Sequence, residues 1–301
     1  MKILVTGASG MLGYELIRLA CRDHEVWGTY LEHRLDVPGC QMFRLDLTDA
    51  GQCRKELKHI KPEAIVHAAA MTDVDHCERE QDKARCINTE GTGLLAETAE
   101  ELGARLVYIS TDYVFDGEKG RYKEEDPPSP VNYYGATKLL GEDLVRRHCT
   151  QGLILRTSIY GLQKPPRQGL MERLIETLRE GKSLPRFADQ FATPLYAGQL
   201  SALILQLLDH RALGLLHIGS ADRISRFEFA RKVAEIFTFD AAVIQPVPFG
   251  GSAELARRPR DSSLVSEAMT RRYGLRLPTV SDGLKWVRDT WKSRQNERAE
   301  R

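Results

Sequence analysis

An α/β fold, a doubly wound parallel sheet carrying a smaller, interleaved α+β lobe, is what three features of this 301-residue chain predict. Short apolar runs rich in β-branched residues alternate with longer amphipathic stretches, a glycine-rich turn follows the first run, and the alternation changes after residue 157. Repeated βαβ units of this length imply a parallel sheet covered by helices on both faces.

The predicted strands are "KILVT" (2–6), "EVWGTY" (25–30), "QMFRL" (41–45), "AIVHAA" (64–69), "RLVYIS" (105–110) and "GLILRT" (152–157). Each is short, apolar and bounded by polar or turn-forming residues. Helical patterns fall between them at roughly 11–22, 49–59, 82–102 and 132–148. Past residue 157, helices near 168–181, 196–209 and 226–237 mix with isolated strands "GLLHIG" (213–218) and "AVIQPVP" (242–248). A polar, arginine-rich stretch "ELARRPRDSSL" and a last helix near 280–295 follow. The expected division puts 1–157, with about 193–219, in a nucleotide-binding domain, and about 158–192 and 220–301 in a substrate-binding lobe.

Composition narrows the function. Lys and Arg total 43 against 42 Asp and Glu, a net charge of +1, so neither nucleic acid nor an anionic membrane surface is the expected partner. Six scattered cysteines, without CxxC or metal-like spacing, read as reduced thiols. Glycines interrupt the start "MKILVTGASG" too early for a signal peptide, and "LSALILQLL" (200–208) is too short to span a bilayer. The expectation is a soluble cytoplasmic protein.

"VTGASGMLGYEL" places Gly7, Gly10 and Gly13 directly after a strand and at the start of a helix, with Met11 and Leu12 between them. Glycine permits the tight turn and close backbone approach, and the helix N-terminus offers unpaired N–H groups to a pyrophosphate. The context predicts a Rossmann-type site for a dinucleotide, a tight βα turn without ligand being the other reading. Its GxxGxxG spacing resembles the extended, sugar-nucleotide-modifying branch of the short-chain dehydrogenase/reductase superfamily. Such folds carry an acid at the end of the second strand to hold the ribose and repel a 2′-phosphate. Here Tyr30 occupies that place, with Arg34 beyond it and Glu32 between. NADP(H) is therefore favoured over NAD(H), with use of both left open. The resemblance also implies that Asp46, followed by Leu47, contacts the adenine; an N-cap role before 49–59 is the other reading, which Thr48 or Asp49 could equally fill.

The fourth strand ends in "HAAAMTDVDHCE", where Ala68, Ala69 and Ala70 leave room for a flat group over the sheet or for tight helix packing. Asp73, Asp75, His76 and Glu78 imitate a metal set that nothing elsewhere completes, so a solvated helix start is expected and no metal. The fifth strand ends "ISTDYVFDG", bringing Ser110, Thr111 and Asp112 to the carboxyl edge of the sheet, where open α/β folds bind ligands. About twenty residues on, "NYYGATK" sets Tyr134 and Lys138 one helical turn apart on one face, with Tyr133 off that face. A short-chain reductase needs a hydroxyl donor, a proton-transferring tyrosine and a lysine four residues later. The lysine charge is expected to lower a phenol pKa that starts near 10.

Together "GxxGxxG", "AAAMTDVDHCE", "STDYVFDG", "NYYGATKLLGE", "ILRTSIYG", "DQFATP" and "RPRDSSL" resemble the dTDP-4-dehydrorhamnose reductase family over nearly the whole chain. The resemblance implies reduction of a nucleotide-linked 4-keto-6-deoxyhexose, with Thr111, Tyr134 and Lys138 as the triad. Family members commonly read "RTSW", two residues and "G"; here "RTSIYG" is one residue shorter and lacks the tryptophan near the sugar. Thr111 and Asp112 are expected near the sugar, and Arg258 and Arg260 of "ARRPRDS" at its diphosphate, since guanidinium forks suit phosphate oxygens; a solvated basic loop is the competing reading. A homodimer is the expected assembly. Three alternatives remain: a sugar-nucleotide 4,6-dehydratase, which would need a glutamate where Tyr113 stands; an epimerase, which would show an "SSAAVYG"-like segment; and a non-catalytic NADP-binding subunit like the regulatory partner of methionine adenosyltransferase.

Overall fold

The computed structural model describes residues 1–164, 169–250 and 256–299. Seven parallel strands form the central sheet: β1 (Lys2–Thr6), β2 (Glu25–Tyr30), β3 (Cys40–Arg44), β4 (Ala64–His67), β5 (Arg105–Thr111), β6 (Gly152–Thr157) and β7 (Gly214–Ile218). Their order across the sheet is β7-β6-β5-β4-β1-β2-β3. The winding reverses between β1 and β4, which opens a crevice at their carboxyl ends.

Alternation along the strands sorts side chains to two faces. Ile3 and Val5 meet Leu12, Leu16 and Ile17 of the helix Met11–Ala20 and Leu200, Ile204 and Leu207 of the helix Ala197–Asp209. Leu4, Ile65 and Leu106 face the other way, against Leu57, Leu95 and Val145 from the helices Ala50–Ile60, Gly91–Leu102 and Tyr133–His148. Each such fully buried aliphatic side chain contributes about 1.5–3 kcal/mol. A separate core joins the helices Leu170–Arg179, Arg226–Phe237 and Val280–Ala299 through Leu174, Ile175, Val233, Leu284 and Val287. Strands Leu184–Phe187 and Ile244–Val247 pair beside it.

The structure departs from the predicted elements in several places. "GLLHIG" is no isolated strand: Gly214–Ile218 pairs with β6 and extends the main sheet. β4 stops at His67, so the three alanines lie beyond the sheet. The expected single helix 82–102 is three pieces, Gln81–Arg85, a π-helical turn Cys86–Glu90 and Gly91–Leu102. The widened turn carries Asn88 inward, where its side chain accepts Met71 N–H (2.8 Å) and donates to Met71 O (3.0 Å) and Thr137 Oγ1 (3.1 Å). Widened turns of this type gather at functional sites. Short helices Val74–Arg79 and Glu267–Tyr273 were not predicted. The helix expected at 168–181 runs Leu170–Arg179, and Gln168 lies outside the described residues, as do Glu254 and Leu255 of the arginine-rich stretch. No helix among the described residues is long and apolar enough to cross a membrane.

Candidate active site

The glycine turn is built for close approach. Gly7 adopts a left-handed φ of 68°, and a Cβ there would meet Ala69 Cα at 2.7 Å. A Cβ on Gly13 would meet Gly7 O at 2.2 Å, so the helix can enter this tightly only without one. Gly10 is the N-cap of the helix Met11–Ala20 and offers no side-chain cap, and the first turn carries no acid. The orphan N–H groups of that turn fit a pyrophosphate, the group that the glycine spacing implies. Met11 and the buried Leu12 follow, and half-buried Ala68 and Ala69 pass directly over Gly7, with half-buried Ala70 after them. The alanines therefore serve close packing against the glycine turn, at the crevice where a dinucleotide would lie.

Beneath this turn is a neutral histidine. The Thr92 hydroxyl donates to Asn88 O (2.7 Å), so it accepts from His67 Nε2–H (3.0 Å), and Nδ1 accepts from the Thr6 hydroxyl (2.7 Å). Burial, aided by the Lys138 charge, pushes the imidazole down to about 3. The ring stays uncharged and stacks on Tyr108 at 5.5 Å.

At the ribose end, Tyr30 closes β2 and stands in register with Arg44 of β3. Arg34 is exposed and paired with Asp36 (3.1 Å), while Glu32 lies exposed beside His33. Arg44 escaped the sequence reading, because only pairing of β2 with β3 brings it opposite Tyr30. Asp46 is not the helix cap: its Oδ1 accepts Thr48 N–H (2.9 Å) and O–H (2.7 Å), whereas Asp49 caps by accepting Gln52 N–H (2.9 Å). Leu47 is half-buried and touches the entry of the helix Gly91–Leu102.

The candidate triad assembles where β5 meets the helix Tyr133–His148. Asn132 caps this helix by accepting Gly135 N–H (2.8 Å). Gly135 is required because a Cβ would strike Tyr113 O at 2.1 Å. The Tyr134 phenol lies close enough to the Thr111 hydroxyl for that hydroxyl to ease its ionisation; the same hydroxyl donates to Asp112 Oδ1 (3.2 Å) and accepts Tyr113 N–H (3.1 Å). Tyr133 differs: its N–H donates to Glu78 Oε1 (2.7 Å), which fixes the helix entry. Lys138 is buried, with Nζ 4.1 Å from the Tyr108 ring centroid. Desolvation, only partly offset by Glu142, pushes its ammonium down to about 7.

One sequence expectation is corrected here. The Tyr134 phenol is raised above its ordinary value, chiefly by burial, with Asp112 adding to the rise. Lys138 spends its charge on the Tyr108 ring, and desolvation of both groups outweighs their attraction. Burial of Lys138 also makes a stability prediction. Between pH 7 and the usual 10.5, the unfolded chain keeps a proton that the folded chain has lost, so this group's cost is full below pH 7 and fades as pH rises. In the absence of nucleotide, Lys138→Met should gain about 3 kcal/mol, about 5 °C in Tm, at pH 6 and almost nothing at pH 10.5. Thermal melts at the two pH values check this; a constant difference between variant and wild type would reject it.

Sequence reasoning missed the support under Lys138. Glu142, one turn further along the same face, accepts Ser110 O–H (2.6 Å), Arg156 Nε–H (2.9 Å) and Nη2–H (2.7 Å), and Arg146 Nη2–H (2.8 Å). Ser110, expected at the ligand edge, is therefore committed to this network. The available signal was a charged residue inside the apolar run "LILRT".

Asp112 is buried and accepts the Ser262 hydroxyl (2.5 Å) from the second lobe; burial lifts it to about 6 against that hydrogen bond and the charge of Arg226. Arg258 forks onto Asp75, Nη1–Oδ1 2.7 Å and Nη2–Oδ2 2.9 Å, and Arg260 pairs with Asp189 (2.8 Å). The carboxylates in the metal-like cluster are engaged in the same way: Asp73 caps the helix at His76 N–H, Asp75 holds Arg258, and Glu78 holds Tyr133. A cavity of about 500 Å³ in the second lobe, lined by Asp222, Glu228, Arg231, Lys232 and Glu235 among others, contains none of the predicted site residues.

The profile of the RmlD substrate binding domain family matches residues 1–292. The chain belongs to this family. RmlD relatives include a Burkholderia thailandensis protein named dTDP-4-dehydrorhamnose reductase, 34% identical across 92% of this chain and 95% of its own length. A solved structure titled as a hypothetical dTDP-4-dehydrorhamnose reductase from Sulfolobus tokodaii superposes with a TM-score of 0.83 at 40% identity, covering 94% of this chain and 99% of that one. A Bacillus anthracis dTDP-4-dehydrorhamnose reductase, solved in complex with NADP, gives 0.82 at 31% identity and covers 95% and 98%. The family resemblance and the fold class expected from the motifs are both borne out. The methionine adenosyltransferase 2 subunit beta of Bos taurus is also similar, 29% identical over 92% of this chain and 84% of its own.

Proposed function

We propose that this protein is an NAD(P)H-dependent reductase of a nucleotide-linked 4-keto-6-deoxyhexose. The observation that carries the reading is the meeting of Thr111, at the carboxyl end of β5 and two strands from the glycine turn, with Tyr134 and buried Lys138 on the helix packed against that strand. When bound, the nicotinamide dinucleotide supplies the hydride. Tyr134 gives its proton to the carbonyl oxygen, Thr111 holds that oxygen beside the phenol, and Lys138 stabilises the tyrosinate left behind. A phenol raised above its ordinary value is protonated at neutral pH, as a proton donor must be. In this reading the second core is the substrate lobe, joined to the first near residues 157, 193 and 219. The protein works in the cytoplasm, as a homodimer, on a small-molecule substrate. Oxidation of NADPH with a panel of nucleotide 4-keto-6-deoxysugars tests it; absence of turnover with every member would reject it.

NADP(H) is the cofactor we favour, because no acid ends β2 and Arg44 stands across from Tyr30. Arg44→Ala and Arg34→Ala should each raise the KM for NADPH by roughly tenfold, the value of one charge-assisted contact, and leave that for NADH unchanged. Steady-state kinetics with both nucleotides decide this. A wild-type preference for NADH, indifferent to both changes, would assign the ribose to Glu32.

A second reading, a nucleotide-binding regulatory subunit, is favoured by Ile159 in "RTSIYG" and by similarity to methionine adenosyltransferase 2 subunit beta. Tight NADPH binding without turnover on the panel would support it.

A further inference from the structure

We propose that Arg226 and Arg186, rather than Arg258 and Arg260, seat the diphosphate of the nucleotide sugar; this deepens the reductase reading and rests on it. Arg226 opens the helix Arg226–Phe237, whose first turn is fixed by Arg226 N–H on Gln190 O (3.0 Å) and by Ser225 accepting Glu228 N–H (3.1 Å). Arg186 lies on the strand Leu184–Phe187, which packs directly against that helix. The two guanidinium groups are close enough for mutual repulsion, which adds to burial in lowering the pKa of Arg186.

Among the described residues neither has a carboxylate at ion-pair distance, and the only hydrogen-bond acceptor for the Arg186 guanidinium is Pro185 O (2.9 Å). Asp112, the nearby acid, is taken by the Thr111 and Ser262 hydroxyls. Three nearby arginines are occupied: Arg258 by Asp75, Arg260 by Asp189 and Arg223 by Asp261. An adjacent pair of cations with no carboxylate at ion-pair distance costs free energy that a dianionic ligand relieves, whereas Arg258 would first have to give up a bidentate carboxylate.

The distance to the chemistry is suitable. The Arg226 charge lies near enough to the Tyr113 phenol to ease its ionisation, and the Tyr113 ring stands edge-to-face with Tyr134 at 6.2 Å. A pyranose carries its phosphate on carbon 1, across the ring from carbon 4. A carbonyl at Tyr134 therefore needs its anion seat one ring's breadth away, and Tyr113 spans that breadth.

Calorimetric titration of the NADPH-loaded protein with dTDP and with inorganic pyrophosphate tests the proposal. Arg226→Gln and Arg186→Gln should each weaken both ligands roughly ten- to hundredfold, with NADPH affinity unchanged and Arg258→Ala much milder. Wild-type affinity in both glutamine variants, loss confined to Arg258→Ala, or a wild type that binds neither probe would each overturn it. If both variants lose dTDP while the wild type turns over no keto-sugar, the anion seat stands and the reductase reading fails.

Discussion

Tyr134→Phe is expected to lower kcat by roughly 100- to 10,000-fold, the usual contribution of a general acid, with NADPH affinity unchanged. In the proposed mechanism the phenol is the proton donor beside the Thr111 hydroxyl, and burial keeps it protonated. Removing only the hydroxyl leaves the ring, its edge contact with Tyr113 and the helix cap in place. Tyr133→Phe should be mild, because Tyr133 is held through its backbone N–H on Glu78, which the substitution preserves. Single-turnover kinetics with fluorescence titration of NADPH separates the two effects. Reversed behaviour of the two variants would move the proton to Tyr133 and displace the motif by one residue.

Glu142→Ala is expected to cost about 3–5 kcal/mol, because it strands the fully buried Arg156 without its anion. Burial alone would raise the Glu142 carboxyl, but Arg156, Ser110 and Arg146 hold it below its usual 4.5. Its stabilisation is therefore complete above pH 4.5 and is lost as pH falls below it. Removing the Glu142 charge also takes away an attraction that raises the Lys138 pKa, so the lysine should neutralise at lower pH in Glu142→Gln. Urea unfolding at pH 7 measures the cost, and the double variant Glu142→Leu, Arg156→Leu should recover much of it by removing both charges together. A cost below 1 kcal/mol for Glu142→Ala would show that the network carries little stability.

The parts of this protein legible in its sequence are those governed by local rules. Alternating βαβ periodicity sets the sheet, the strand-turn-helix context of Gly7, Gly10 and Gly13 sets the tight glycine turn, and i,i+4 geometry alone separates Tyr134 from Tyr133. Spacing within one segment is a short-range property, and the chain carries it without any partner. What only tertiary structure decided is which charges find each other across the chain. Arg258 reads as a free phosphate ligand until Asp75, 183 residues away, is seen to hold it. Arg44 does not stand across from Tyr30 until β2 and β3 pair, and Arg156 is an oddity in an apolar strand until Glu142 reaches it from the preceding helix. The same holds for Lys138: its spacing predicts a cation that eases ionisation of the phenol, yet burial of both groups reverses the expected direction. Desolvation and long-range pairing depend on everything that surrounds a group, and no window of sequence contains that surrounding.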